Sequence, residues 1–98
     1  MYVYIMSNKS HRLYVGATTD LISRVNQHKT KEYPSSFTAR YNFDRLVWFE
    51  VVSDEETAFK REKTLKKWPR EAKVALIQAK NPNWLDLSAR LHWSSSLA

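Results

Sequence analysis

"YVYIMSNKSHRLYVG", residues 2–16, decides how the rest of the chain is read. Two runs of aromatic and β-branched residues, Tyr2–Met6 and Arg12–Gly16, flank the polar stretch Ser7-Asn8-Lys9-Ser10-His11. Strand formers on both sides of turn formers predict a β-hairpin. Alternation puts Val3 and Ile5 on one face and Tyr2, Tyr4 and Met6 on the other. In the second strand Leu13 and Val15 share a face, and Arg12, Tyr14 and Gly16 share the opposite one. A turn centred on Lys9 sets Tyr4 directly across from Tyr14, so two phenols emerge together. Gly16 is the only glycine in 98 residues. A glycine ending a strand either bends the chain or lets another backbone approach closely.

Outward from the hairpin, Thr18-Thr19-Asp20 is a capping cluster that predicts a helix from about Leu21 to Lys29. Leu21 and Val25 form its apolar stripe, and Arg24 and His28, also four apart, are neighbours on one face. "KEYPSSFTARYN", residues 31–42, is polar and broken by Pro34, and reads as a loop with a helical turn at Ser36 to Tyr41. "RLVWFEVV", residues 45–52, is nearly continuous in apolar character, which predicts a central strand covered on both faces. Ser53 and Glu56 match a capping box, so a second helix is expected from Asp54 to Lys67, with Ala58, Phe59, Leu65 and Trp68 apolar. Its acidic start and basic end complement the helix macrodipole. Pro69 suits the first position of a third helix, to about Lys80, with Val74, Leu76 and Ile77 inward. Asn81-Pro82-Asn83 ends it, Trp84 to Leu87 docks back on the core, and "LHWSSSLA" reads as a loosely anchored tail. The order strand, strand, helix, strand, helix, helix predicts an α+β domain over residues 1–90, a three-stranded sheet with helices around it, and a tail over 91–98.

A chain of 98 residues has room for one small domain. The absence of cysteine excludes disulfides and thiolate zinc sites and fits a reducing cytoplasm. The opening apolar run is too short for a signal peptide, and no run approaches the roughly 20 residues of a membrane helix. Sixteen basic against ten acidic residues give a net charge of +6 and a pI near 9.7. A small basic domain suits a polyanion, most often nucleic acid; solubility is the plainer reading of the same charge.

Four groups can carry chemistry. Glu62 shares a helix face with Ala58 and Leu65, so its carboxylate points along the half-buried side and needs a cation. That cation is either a side chain, Arg61 or a lysine, or a metal ion; Mg²⁺ takes one or two carboxylates, several waters and a substrate phosphate. Arg24 is either an ion-pair partner or a guanidinium that grips a phosphate and offsets developing charge. Tyr4 and Tyr14 are either sheet aromatics or, near positive charge, proton-transfer groups. His28 is a second proton acceptor or a hydrogen-bonding helix residue. Beside them, Gly16 reads as a place where a nucleic-acid backbone comes close. Lys63, Lys66, Lys67 and Arg70 are either a solvated helix end or contacts to a flanking strand.

Tyr4-Ile5 followed by Tyr14-Val15-Gly16, then Arg24, His28 and Glu62, resembles the GIY-YIG nuclease superfamily. "SFTARYN", "LVWFE", "AFKREKTLKKW" and "NPNW" look like stretches of its small single-domain bacterial members, and the likeness covers residues 2–85. The resemblance implies a small three-stranded antiparallel sheet flanked by helices and metal-dependent hydrolysis of phosphodiesters in DNA, with Mg²⁺ or Mn²⁺. By the same resemblance Tyr4 is a general base or water-positioner, and Tyr14 and Gly16 stand in the second motif. Arg24 steadies the scissile phosphate, Glu62 binds the metal, and His28 fills a position often occupied by histidine. The first motif reads Val3-Tyr4-Ile5, without its glycine, but the tyrosine supplies the functional group. The family's downstream asparagine has no clear counterpart; Asn81 and Asn83 are the nearest in kind. Two other readings stand beside the enzyme: a non-catalytic nucleic-acid-binding module, and an interaction domain using aromatics such as Trp84 or Trp93.

Overall fold

Asn8 sets the hairpin. Its Oδ1 accepts from the backbone N–H of Ser10 and of Arg12, both at 3.0 Å, and His11 N–H donates to its carbonyl at 3.0 Å. His11 closes the turn in the left-handed region at φ 60°. In this computed structural model, which describes residues 1–30 and 41–89, strands β1 (Tyr2–Ser7) and β2 (Leu13–Thr18) are therefore joined by a loop centred on Ser10, not Lys9. The register moves by two residues from the expected one: Tyr4 faces Gly16, and Tyr14 faces Met6. A shift of two preserves faces, so Tyr4 and Tyr14 stay on one side as diagonal neighbours with ring centroids 6.4 Å apart. Gly16 lies inside β2, which runs straight on to Thr18.

The remaining elements are α1 (Leu21–Thr30), β3 (Arg45–Val51), α2 (Glu55–Lys67) and α3 (Arg70–Lys80). The sheet is antiparallel in the order β2-β1-β3, so the central strand is β1 and the apolar run at 45–51 is an edge. Two facts explain why an edge strand looks so apolar. Helices cover both faces of the sheet, and a bulge lets Val47 and Trp48 both join one face: Ile5 pairs with Trp48 and Met6 with Leu46, leaving Val47 between them.

Each face has its own core. Val3, Ile5, Val15, Val47 and Trp48 pack against Ala58 and Leu65 of α2 and Ile77 of α3. Tyr4, Met6 and Leu46 pack against Leu21 and Val25 of α1 and against Phe43. Each aliphatic side chain so buried contributes roughly 1.5–3 kcal/mol.

Caps end the helices as their chemistry dictates, with one change of residue. Asp20 Oδ1 accepts from Ser23 N–H at 3.1 Å ahead of α1. At α2 the cap is Asp54, not Ser53 paired with Glu56: Asp54 Oδ1 accepts from Thr57 N–H at 2.7 Å, and the Ser53 hydroxyl donates to Asp54. A carboxylate outcompetes a hydroxyl for a helix N-terminus because it also meets the dipole. Ala58 and Leu65 carry the buried face of α2, while the apolar Phe59 is 47% exposed.

Residues 81–88 return to the sheet as expected. Asn81 Nδ2 donates to the carbonyls of Val47 and Leu85, and Leu87 N–H donates to Leu46 O. Asp86 accepts from Lys29 Nζ at 2.6 Å, from Leu46 N–H and from Ser88. Trp84 stacks on His11, centroids 4.3 Å apart and planes 5° apart. The helical turn expected at Ser36 to Tyr41 lies outside the described residues but for Tyr41, and Trp93 with the 91–98 tail lies outside them altogether. Among the described residues no helix is long and apolar enough to cross a membrane.

Candidate active site

Tyr4 is the centre of the site because β1 is the centre of the sheet. Its side chain is fully buried and lies across β2 on top of Gly16. A Cβ at position 16 would sit 2.6 Å from both Cζ and Oη of Tyr4. The only glycine of the chain therefore makes room for a phenol, with no unusual backbone angle at Gly16. The sequence reading reserved that space for an approaching nucleic-acid backbone; Tyr4 fills it.

Helix α1 supplies the next shell. Leu21 and Val25 anchor it to the sheet, and the same spacing buries His28. His28 Nε2 is 3.0 Å from Tyr4 Oη. Tyr14 closes the group, with its ring 5.4 Å from that of His28 and 6.0 Å from that of Phe43. Arg24 stands one turn before His28 on the exposed side of α1. Burial, the largest influence, pushes the Tyr4 phenol well above the ordinary tyrosine range, and Tyr14 and the Glu62 charge push the same way. The Arg24 charge and its hydrogen bond to the phenol oppose them. Burial also pulls His28 down to about 4, and the Arg24 charge adds to that. At neutral pH the phenol thus keeps its proton and shares a hydrogen bond with a neutral imidazole.

Glu62 reaches this group from the other layer. Its side chain is 19% exposed, and Lys66 Nζ lies 2.9 Å from its carboxylate. Of the side-chain partners expected, a lysine is the one found; Arg61 instead bonds Glu50 at 3.2 Å and lies over the Trp68 ring. The structure thus groups Tyr4, Tyr14, Arg24 and His28 from three elements; Glu62, on α2, is linked to them through the effect of its charge on the Tyr4 phenol.

Among the described residues no three His, Cys, Asp or Glu side chains gather as a metal cage. One half-buried carboxylate, Glu62, does not suit Zn²⁺, which takes three or four protein ligands. It does suit a hard ion such as Mg²⁺ that takes most of its oxygens from water and substrate.

Lys63, Lys67 and Arg70 are exposed where α2 meets α3, while Lys66 is turned to Glu62. Asn81 is spent on the fold: its amide is bonded to Val47 and Leu85, and Leu85 N–H donates back to its Oδ1 at 2.9 Å. Asn83 is exposed.

The residue set was visible in the sequence; the Tyr4–His28 bond was not. Its signals were the Arg24–His28 spacing and the lone glycine, which locates the tyrosine only once the register is known.

The chain matches the family model for the GIY-YIG catalytic domain over residues 1–75. A UPF0213 protein of Syntrophus aciditrophicus is 33% identical over 81 residues, 83% of this chain and 92% of that one. One of Haloquadratum walsbyi is 35% identical over 77 residues, covering 79% and 85%. The solution NMR structure of a UPF0213 protein from Bacillus halodurans superposes with a TM-score of 0.54 at 29% identity, covering 87% of this chain and 89% of that one. With a buried phenol seated on the glycine of the neighbouring strand, and a match over three quarters of its length, the chain belongs to the GIY-YIG family.

Proposed function

We propose that the protein is a divalent-metal-dependent endonuclease that hydrolyses phosphodiester bonds in DNA, acting in the cytoplasm. The observation that carries the reading is the Tyr4 phenol itself. It is bonded to His28 at 3.0 Å and subject at once to Arg24 and Glu62. A buried phenol bonded to an imidazole, with a guanidinium and a carboxylate acting on it by charge, is an arrangement for moving a proton next to a phosphate.

Water attacks phosphorus in line; the new P–O bond forms as the bond to the leaving oxygen breaks. Because burial keeps Tyr4 protonated, a free tyrosinate is not the base. Tyr4 takes the proton of the attacking water while its own proton passes to His28 Nε2. The substrate's negative charge favours that step, since it raises the affinity of His28 for a proton and offsets the opposing effect of Arg24. Arg24 binds the phosphate oxygens and balances the charge that develops on them. Tyr14, against both the Tyr4 and His28 rings, holds them in position and shields the transfer from bulk water. Glu62 would hold Mg²⁺ or Mn²⁺ once Lys66 is displaced. Such an ion, when bound, supplies Lewis-acid stabilisation of the charged oxygens. Lys63, Lys67, Arg70 and the released Lys66 hold the flanking strand by charge without reading sequence.

The Glu62–Lys66 pair also favours a second reading, a nucleic-acid-binding module, because it satisfies the carboxylate without a metal. One experiment separates the two. The purified protein, with Mg²⁺ or Mn²⁺, is assayed on labelled single-stranded, duplex and branched DNA and on RNA, beside Glu62→Ala and Arg24→Ala. An enzyme cuts at least one DNA substrate, and each variant loses about 10²–10³-fold. If wild type is as inert as both variants on every substrate, the binding module is right. If all three cut equally, the residues named here are not the site.

A further inference from the structure

At the other end of β2 from Gly16 the surface holds a recess of about 220 Å³ lined by Arg12, Leu13, Phe43, Arg70 and Lys73. Three of those five side chains are cations and none is a carboxylate. Among the described residues, none of the three forms an ion pair. They come from separate parts of the chain and are held by other means. The Arg12 guanidinium lies over the Tyr41 ring at 4.5 Å, and Lys73 Nζ reaches the Lys66 carbonyl at 3.5 Å. Three uncompensated cations around one recess repel one another in the free protein, and an anion relieves that repulsion. Two planar guanidiniums beside an ammonium match the oxygens of a phosphate.

The position of the recess identifies which phosphate. Phe43, which backs it, packs its ring against Tyr14 at 6.0 Å, so the recess and the proposed active site share a wall. Leu13 opens the edge strand β2 three residues before Gly16, and Arg12 immediately precedes it, which puts them about 10–13 Å from Gly16 at roughly 3.3 Å per residue. Successive phosphates of one DNA strand rise about 3.4 Å along the helix axis but, winding around it, lie roughly twice that far apart in space.

We infer that the recess formed by Arg12, Arg70 and Lys73 is a second phosphate subsite, for the DNA backbone about two nucleotides from the phosphate that is cleaved. It fixes the register of the strand along β2 and adds affinity without sequence preference. The inference rests on the nuclease reading for the identity of its ligand, but it is tested without cleavage.

Fluorescence anisotropy of the full-length protein is measured with labelled duplexes in EDTA over a range of NaCl concentrations. Arg12→Ala, Arg70→Ala and Lys73→Gln are compared with Lys80→Ala, which removes an equal charge elsewhere on α3; thermal melts establish that each is folded. Each recess variant is expected to weaken binding about three- to tenfold and to lower the slope of log K against log salt by about 1, more than Lys80→Ala does. Duplexes extended past about two nucleotides from the bound phosphate gain affinity for wild type, and Arg12→Ala/Arg70→Ala loses that gain. Recess variants that match Lys80→Ala would overturn the subsite and leave diffuse surface charge. So would low-millimolar competition by inorganic phosphate with no dependence on duplex length, which marks an isolated anion site. Recess-dependent binding by a protein that never cuts with metal defeats the nuclease reading and leaves the subsite standing.

Discussion

Val3 and Ile5 leave β1 on one side and meet the hydrocarbon of α2 and α3; Tyr4, between them in sequence, leaves on the other and meets an imidazole and a second phenol. Both sides are shielded from water, yet they are buried for different reasons. The α2–α3 side gains from area and close packing alone, which is additive and tolerant of conservative change. The α1 side holds titratable groups whose burial costs free energy and whose bonds must all be made at once. One strand therefore carries an apolar core on one side of its pleat and, on the other, a core that also holds the groups proposed for the chemistry.

The largest expected effect falls on the chemical side. Tyr4→Phe keeps the ring on Gly16 and removes only the hydroxyl, so cleavage should fall by about 10²–10⁴-fold while urea unfolding moves by about 1–2 kcal/mol as His28 loses its hydrogen-bond partner. Ile5→Ala should do the reverse: about 2–5 kcal/mol lost in urea, with near-normal cleavage per folded molecule. If Ile5→Ala silenced the folded protein, or Tyr4→Phe unfolded it, the division between the faces would be wrong.

Acid should also tell the faces apart. His28 is lowered to about 4 in the fold, against an unfolded value near 6.5. Between those pH values the unfolded chain binds more protons, so stability is full above about pH 7 and declines as pH falls, by on the order of 3 kcal/mol at pH 4. Urea titrations at pH 7, 6 and 5 measure the decline, and His28→Gln should flatten it.

Gly16→Ala forces a Cβ against the Tyr4 ring and should destabilise by about 1–3 kcal/mol, read as a lower Tm together with lost cleavage. The smallest effect belongs to Lys66→Ala, which breaks a half-exposed ion pair worth under about 1 kcal/mol. Freed of its lysine, Glu62 should bind Mn²⁺ a few-fold more tightly by calorimetry.

The sequence showed these residues but not their arrangement. The elements were legible because each is written locally: alternation for the hairpin, Asp20 and Pro69 for helix starts, apolar spacing for the buried stripes. The register was not, because a single side chain, Asn8, fixes the turn by bonding two backbone groups. Nor was the place of β3, because an apolar run looks the same whether a strand is central or is an edge covered on both faces. Glu62–Lys66 and Arg24–His28 are helical neighbours and could be read from spacing. The bond from Tyr4 to His28 spans 24 residues and needs the folded sheet to bring it about.

The return of residues 81–88 has a practical consequence for anyone trimming the gene. The family match ends at residue 75, but a fragment cut there loses Ile77 from the core and the Asn81 and Asp86 bonds to β3. It also loses the Asp86 anchor on Lys29, the residue next to His28. The helix that carries both the arginine and the imidazole would then lose its ion pair to the 81–88 segment, so the shortest useful fragment must reach at least Ser88.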